Sequence, residues 1–398
     1  MPGQRSRRGP RRRGATTIVH APDVVDVVAL GESMVTFLPT RPGRLADVPS
    51  FERGIGGAES NVACALAAAG HAVRWVSRVG ADGFGDHLVE AVAAYGVDVT
   101  SVRRDPDRPT GVYFRTAGDR ATHAHEVAYY RTGSAASAMT SANVDPRVVR
   151  ACRVLHLSGI TAALSAGCLG LLRELTGPRS DGPLVSFDIN HRSGLWPAPD
   201  APQVLLGLAR GADIVFVGED EAEEVWGVTG GPSAIRELLP EPGVLVVKQG
   251  ARGATVFRRA AGDRAAGAAP DPKTGGTPTA PGRATTPRPA PTPGSARQTV
   301  VFVPAPTVEV AAATGAGDAF AAGFLSATLR GLPLKARLRH GHLTAAATLT
   351  TPADLAPPPT RAHADHLAAL ADDSWGRLRL APGWTDIPDR AEEEVPTP

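Results

Sequence analysis

The chain has 398 residues, 42% of them hydrophobic, and a formal net charge of +2. Six arginines and no acid lie in residues 1–22, and beyond them 36 basic side chains face 40 acidic ones, so the folding part is mildly acidic and the basic balance belongs to a tail. Such a chain can bury one large core; no apolar run approaches the roughly 18 residues of a membrane helix, and no apolar stretch follows the arginines as a secretory signal requires. Residues 1–22 are therefore expected to be a disordered tail, with no nucleic-acid or membrane partner. Cys64, Cys152 and Cys168 are odd in number, widely spaced and set in Ala/Leu-rich stretches. That is no metal or redox spacing; it predicts buried small hydrophobes and a reducing, cytoplasmic setting.

Along the chain, short apolar runs alternate with helical stretches. Val24–Gly31 reads as a strand and Val35–Pro39 as a second, more polar one. Ala58–Ala69 reads as a helix, Val73–Val79 as a strand and Gly85–Tyr95 as a helix. Val112–Tyr130 holds strand formers among charged and aromatic residues with no helix between them. Next come the strand Val154–Leu157, the helix Gly167–Leu175, the strand Leu184–Asp188, the helix Pro202–Ala209, the strand Asp213–Val217, the helix Asp220–Val225 and the strand Val244–Lys248. Several strands are apolar throughout, as strands covered on both faces are. The alternation predicts an α/β fold with a parallel sheet between helix layers. The two regions without helices, about 33–50 and 110–131, predict a small separate sheet. Gly253–Phe257 and Thr299–Val303 read as a hairpin split by residues 259–298, a Pro/Ala/Gly/Thr/Arg segment that buries too little to offset ordering entropy and is expected to be a disordered insertion. Residues 372–398, polar and Pro-rich, are expected to run past a domain spanning 23–371.

Three runs carry chemistry. In Ala313-Thr314-Gly315-Ala316-Gly317-Asp318, small residues precede a helical stretch that continues to Arg330. The glycines admit close backbone approach, and unpaired amides at a helix start favour an anion. This predicts an anion hole for a phosphoryl group in transit, with Asp318 placed to take a hydroxyl proton. Taken singly, the run is equally a glycine turn with Asp318 as its cap. Gly56-Gly57-Ala58-Glu59-Ser60-Asn61 puts polar side chains at a second helix start. Asp188-Ile189-Asn190-His191-Arg192, then Leu195-Trp196, lies at the carboxyl end of a strand, where open α/β sheets bind ligands. An extended backbone there aims Asp188, Asn190 and Arg192 to one side.

Together these runs resemble the ribokinase-like (PfkB) carbohydrate kinases, from about Val24 to about Leu370. Gly56-Gly57 with Asn61, Val79-Gly80-Ala81-Asp82-Gly83-Phe84-Gly85, Gly96-Val97-Asp98 and Thr314–Asp318 carry the resemblance. It implies a three-layer αβα sandwich with a small β-sheet lid, ATP and Mg2+ as cofactors, and Asp318 as the base beside an anion hole of Gly315, Ala316 and Gly317. It also implies that Lys248, Gly250, Gly253 and Thr314 lie with Gly315 and Gly317 on the nucleotide side, that Glu221 organises magnesium, and that Gly56, Gly57, Asn61, Asp188 and Asn190 lie on the sugar side. Pairing through the lid into a homodimer or larger assembly is expected.

Within the family, Gly31-Glu32-Ser33-Met34, Gly57-Ala58-Glu59, Tyr129-Tyr130-Arg131-x-Gly133-Ser134-Ala135 and Asp188-x-Asn190-x-Arg192 are similar to 2-keto-3-deoxygluconate kinases. That likeness implies Arg131 and Arg192 on a substrate carboxylate and Tyr113 and Tyr129 along its carbon chain; a guanidinium fork suits such an anion. Two other readings stay open: a fructokinase or other neutral-sugar kinase, and a non-catalytic sugar- or nucleotide-binding protein. The second is motivated by departures from the pattern. Ala312 stands where the family has an Asp that helps hold potassium, which leaves a monovalent cation open, and Gly218 replaces the Asn of Asn-x-x-Glu.

Overall fold

The computed structural model describes residues 22–116, 126–196, 200–259 and 298–386. The arginine tail and the insertion, as read from the sequence, lie almost wholly outside these residues. In chain order the strands are β1 (Val25–Leu30), β2 (Met34–Pro39), β3 (Phe51–Gly56), β4 (Val73–Gly80), β5 (Val102–Asp105), β6 (Val112–Arg115), β7 (Val127–Tyr130), β8 (Cys152–Ser158), β9 (Leu184–Asp188), β10 (Ile214–Gly218), β11 (Val244–Lys248), β12 (Ala254–Arg259), β13 (Gln298–Val303), β14 (Thr307–Val308) and β15 (Arg379–Leu380).

Nine strands form one sheet in the order β13-β12-β11-β10-β9-β8-β1-β4-β5. From β5 to β11 all neighbours are parallel, and β12 and β13 close the edge as the antiparallel hairpin expected around the insertion. Consecutive residues of the central strands are buried on opposite faces. Val27 and Ala29 pack with the helices Ala58–Ala68, Ala316–Leu329 and Leu334–Leu349, while Val28 and Leu30 pack with Ala166–Leu175 and Ala201–Arg210. Continuous apolar runs such as Ile214–Gly218 follow from this double covering. Helices Ala316–Leu329 and Leu334–Leu349 lie close together because Gly323 faces His340 and Thr344, and Gly341 faces the Phe320 ring; a Cβ at either glycine would collide. All three cysteines are free and buried.

The small sheet has the order β3-β2-β6-β7. It includes one strand more than the sequence suggested: Phe51–Gly56 pairs along the whole of β2, so the lid reaches beyond residue 50. Gly54 and Gly56 continue that strand up to the helix start that the sequence placed after them. One face of the lid stacks Phe37 on Phe114, with Phe51 and Tyr130 edge-on to Phe114. The opposite face carries Thr36, Tyr113 and Tyr129 toward the main sheet.

The expected boundary at residue 371 is corrected. Asp372–Gly376 is helical, Trp375 is 1% exposed and donates its indole N–H to the Pro304 carbonyl (2.9 Å), β15 pairs with β14, and Trp384 is buried. The polar, Pro-rich composition hid two tryptophans whose burial offsets the cost of ordering the segment.

Candidate active site

The carboxyl ends of β1, β9, β10 and β11 face the start of helix Ala316–Leu329. That helix opens at Gly315, whose backbone is left-handed (φ 78°) and whose absent Cβ leaves room for the Asp354 carbonyl. The amides of Ala316, Gly317 and Asp318 have no acceptor within the helix, so partial positive charge gathers there. Asp318 stands among them. Asn61 donates to one of its carboxylate oxygens (2.9 Å) and Asn190 to the other (3.3 Å). Asn61 is itself oriented, because its carbonyl oxygen accepts from the Gly57 amide (3.4 Å). Burial, reinforced by the nearby Asp188 charge and partly offset by Asn61, Arg192 and Lys248, pushes the Asp318 carboxyl up to about 7.

Asp188 ends β9 and is almost fully buried. The backbone is not extended as the sequence suggested, because Asn190 takes φ 40°, a region Asn tolerates at some cost. The three side chains nonetheless lie around Asp318: Asn190 donates to it, and the charges of Asp188 and Arg192 both act on it. Asp188 accepts from the Lys248 ammonium on both oxygens (3.1 and 2.9 Å). Lys248 ends β11, and its Nζ comes so near Gly317 that an added Cβ would lie 3.5 Å away. Burial lowers the Lys248 pKa, but the charges of Asp188 and Glu221 outweigh it and hold the ammonium above its usual range. A cation fixed in this way at the anion hole is suited to a phosphoryl group.

Glu221 bridges two strand ends. One oxygen accepts from the His191 amide (2.5 Å), the other from the Gly218 amide (2.9 Å). Gly218 supplies only its backbone where the family pattern has an asparagine side chain. Among the described residues no group of three or more His, Cys, Asp or Glu is arranged to hold a metal. A single carboxylate together with substrate phosphates and water still suits magnesium, which dehydrates reluctantly. Gly250 begins a turn between β11 and β12, and the Gln249 amide donates to the Gly253 carbonyl (2.9 Å). Thr314 is exposed at the mouth of the anion hole.

On the lid side, Gly56 lies against Tyr113 and Asp354 with no space for a side chain. The Tyr113 hydroxyl donates to one Asp354 oxygen and Arg115 pairs with the other. Gly57 lies against the backbone of Glu32 and Ser33. Tyr129 is half-exposed at the tip. Of the two arginines expected on a carboxylate, Arg131 is 8% exposed and already paired with Glu32, whereas Arg192 is exposed and has no carboxylate within ion-pair distance among the described residues.

The sequence reading missed Asp354 and Glu32. Asp354 lies in the loop after helix Leu334–Leu349, 241 residues from Tyr113, in a stretch with no motif, so nothing local marked it. Glu32 belongs to the Gly31-Glu32-Ser33-Met34 run, and only its 2% exposure beside Arg131 gives it a role of its own. A cavity of about 1320 Å³ lined by Arg179, Arg210 and Arg337 lies at the opposite, amino end of the strands and includes none of these groups.

Residues 25–274 and 293–361 match the profile of the pfkB family of carbohydrate kinases. The 2-dehydro-3-deoxygluconokinase of Bacillus subtilis (strain 168) is 32% identical over 346 residues, covering 85% of this chain and 93% of that protein. Fructokinase-1 of Oryza sativa subsp. japonica is 32% identical over 237 residues, 58% of this chain and 73% of that protein. Among solved structures, a PfkB protein from Polaromonas sp. JS666 is 32% identical with a TM-score of 0.68, covering 86% of this chain and 99% of that one.

Proposed function

Because this chain belongs to the pfkB family of carbohydrate kinases, we propose that it transfers the γ-phosphoryl group of ATP to the 6-hydroxyl of 2-keto-3-deoxygluconate, also called 2-dehydro-3-deoxygluconate, with Asp318 as base. The observation that carries the reading is the coincidence of Asp318 with the unpaired amides of one helix mouth, beside Lys248. The sugar hydroxyl loses its proton to an Asp318 oxygen as its own oxygen attacks phosphorus in line and the bond to ADP breaks. The Ala316–Asp318 amides and the Lys248 ammonium face the charge that spreads over the transferred group. Asn61 and Asn190 hold the carboxylate in register with the hydroxyl. Glu221 would hold magnesium, directly or through water, and the ion supplies charge neutralisation on the phosphates.

For the substrate, Arg192 has no carboxylate partner among the described residues, although one of its nitrogens donates to the His191 carbonyl (2.7 Å), and its remaining donors would meet the substrate carboxylate together with Arg131, which Glu32 already pairs. Asp354, Tyr113 and Tyr129 line the side from which the sugar chain would be held. The relatives named 2-dehydro-3-deoxygluconokinase support the same choice. A neutral sugar is the second reading, favoured by the neutralisation of both Arg115 and Arg131 by buried acids and by the fructokinase relatives. The aromatic outer face of the lid, with Tyr130 65% exposed, is where a second copy of the chain would pair. A coupled ADP-release assay on Mg-ATP with 2-keto-3-deoxygluconate, fructose and ribose tests the assignment. Preference for the sugar acid is expected; preference for fructose would move the substrate and leave the base in place. No turnover with any sugar would overturn the kinase mechanism for this chain.

A further inference from the structure

The chain crosses between main sheet and lid four times, and three of the crossings meet at one place, the hinge: Gly31–Ser33 after β1, Thr110–Gly111 before β6, and Arg131–Ser134 after β7. A buried charge pair occupies it. The Arg131 guanidinium meets Glu32 Oε2, and the Ser134 hydroxyl donates to Glu32 Oε1. Ser134 is fixed in turn, since its amide donates to the Arg131 carbonyl (3.0 Å). Gly111 covers the pair so closely that an added Cβ would lie 3.2 Å from Glu32 Oε1 and 3.4 Å from the Arg131 Cβ. Glu32 is 2% and Arg131 8% exposed. Neither the buried Arg131 Nε nor Glu32 Oε2 has a hydrogen-bond partner, so the two side chains meet as an ion pair. The guanidinium carbon lies 5.8 Å from the centre of the Tyr129 ring, on the sugar-facing side of the lid. Another acid in this region, Glu59, is fully buried, and burial pushes its carboxyl up to about 8, with the Arg131 charge opposing the shift; its Oε1 accepts from the Thr161 hydroxyl (2.6 Å).

We infer that Glu32 is a specificity-determining positioning residue: it fixes the Arg131 fork at the hinge and cancels most of its charge before substrate arrives, which limits how strongly the site prefers an anionic sugar over a neutral one. The inference rests on the sugar-acid reading above. An uncompensated buried guanidinium would bind a carboxylate much more tightly than a hydroxyl, because its own desolvation is otherwise unrepaid. With Glu32 in place, the ligand's carboxylate shares a cation that already has a partner. The same pairing leaves the site open to sugars that carry no charge.

Glu32→Gln keeps a carbonyl oxygen for Arg131 and removes the charge. Its KM for 2-keto-3-deoxygluconate is expected to fall about tenfold, with the KM for fructose and kcat on both sugars changing less than about twofold. A merely structural role would instead lower kcat/KM on both sugars together. If Glu32→Gln does not give a folded protein by thermal unfolding, a second comparison decides. Arg131→Gln leaves Glu32 buried and unpaired against the incoming carboxylate, so Glu32→Gln/Arg131→Gln should recover part of the lost affinity for the sugar acid and none for fructose. An unchanged acid-to-fructose ratio in Glu32→Gln, or no recovery in the double variant, overturns the inference while the sugar-acid reading stands. A wild-type enzyme that does not phosphorylate the sugar acid overturns both.

Discussion

The end of this site proposed for phosphoryl transfer and the end proposed for the sugar are built differently. At the phosphoryl end every group comes from a strand terminus or a helix start of the main sandwich, and the charges are fixed within it: Lys248 by Asp188, Asp318 by Asn61 and Asn190. At the sugar end most groups come from lid strands, the hinge and a loop after a helix, with Arg192 added from the turn after β9: Tyr113 and Arg115 pair with Asp354, and Arg131 with Glu32. On the proposed function, the contrast places transfer chemistry on the core, where placement is fixed by packing, and much of substrate recognition on the separate small sheet.

Breaking the first end should have the largest effect. Asp318→Asn is expected to lower kcat by about 10²–10⁴-fold with sugar binding retained, read from steady-state kinetics alongside ligand-induced thermal shift; near-normal turnover would remove Asp318 as base. Lys248→Met should cost on the order of 10²-fold in kcat, with Asp188→Asn giving a smaller loss because the lysine remains but is no longer aimed.

The second end should respond in substrate choice. Arg192→Ala is expected to lose roughly ten- to a hundredfold in kcat/KM on the sugar acid and little on fructose. Equal losses on both would assign Arg192 to the phosphates and leave the carboxylate to Arg131 alone.

Smaller effects follow from the Asp318 carboxyl, held near 7 by burial. The base must be ionised, so log kcat/KM should climb by about one unit per pH unit below 7 and level off above it, in a profile that Asp318→Asn flattens. Stability moves the other way. The folded protein binds this proton more tightly than the unfolded chain, whose ordinary value is near 3.8, so stability is lost as pH rises from about 4 to about 7. Asp318→Asn should therefore raise Tm at pH 8 and change it little at pH 4; scanning calorimetry at the two pH values checks the sign.

Much of the fold was legible because its signals are local. Ile214–Gly218 and Val244–Lys248 are apolar at every position, which only a doubly covered strand needs, and Gly315 before Asp318 marks a left-handed turn into a helix. The lid strand Phe51–Gly56 was hidden because its Gly-rich end reads as a loop, and its pairing partner β2, not its own composition, makes it a strand. The segment after Asp372 was misread because its polar average concealed Trp375 and Trp384, whose value depends on the pocket that receives them.

The sequence by itself determined the sandwich and the glycine turn that sets Asp318 at a helix start, since each depends on residue types a few positions apart. Only the tertiary structure decided which charges are free. Arg131, Arg115, Arg192 and Lys248 are alike as cations in the sequence. Burial beside Glu32, Asp354 and Asp188 pairs three of them and leaves Arg192 open. The physical reason is that the strength of a charge toward a ligand is set by its burial and its partners, and these are brought together by packing across the whole chain.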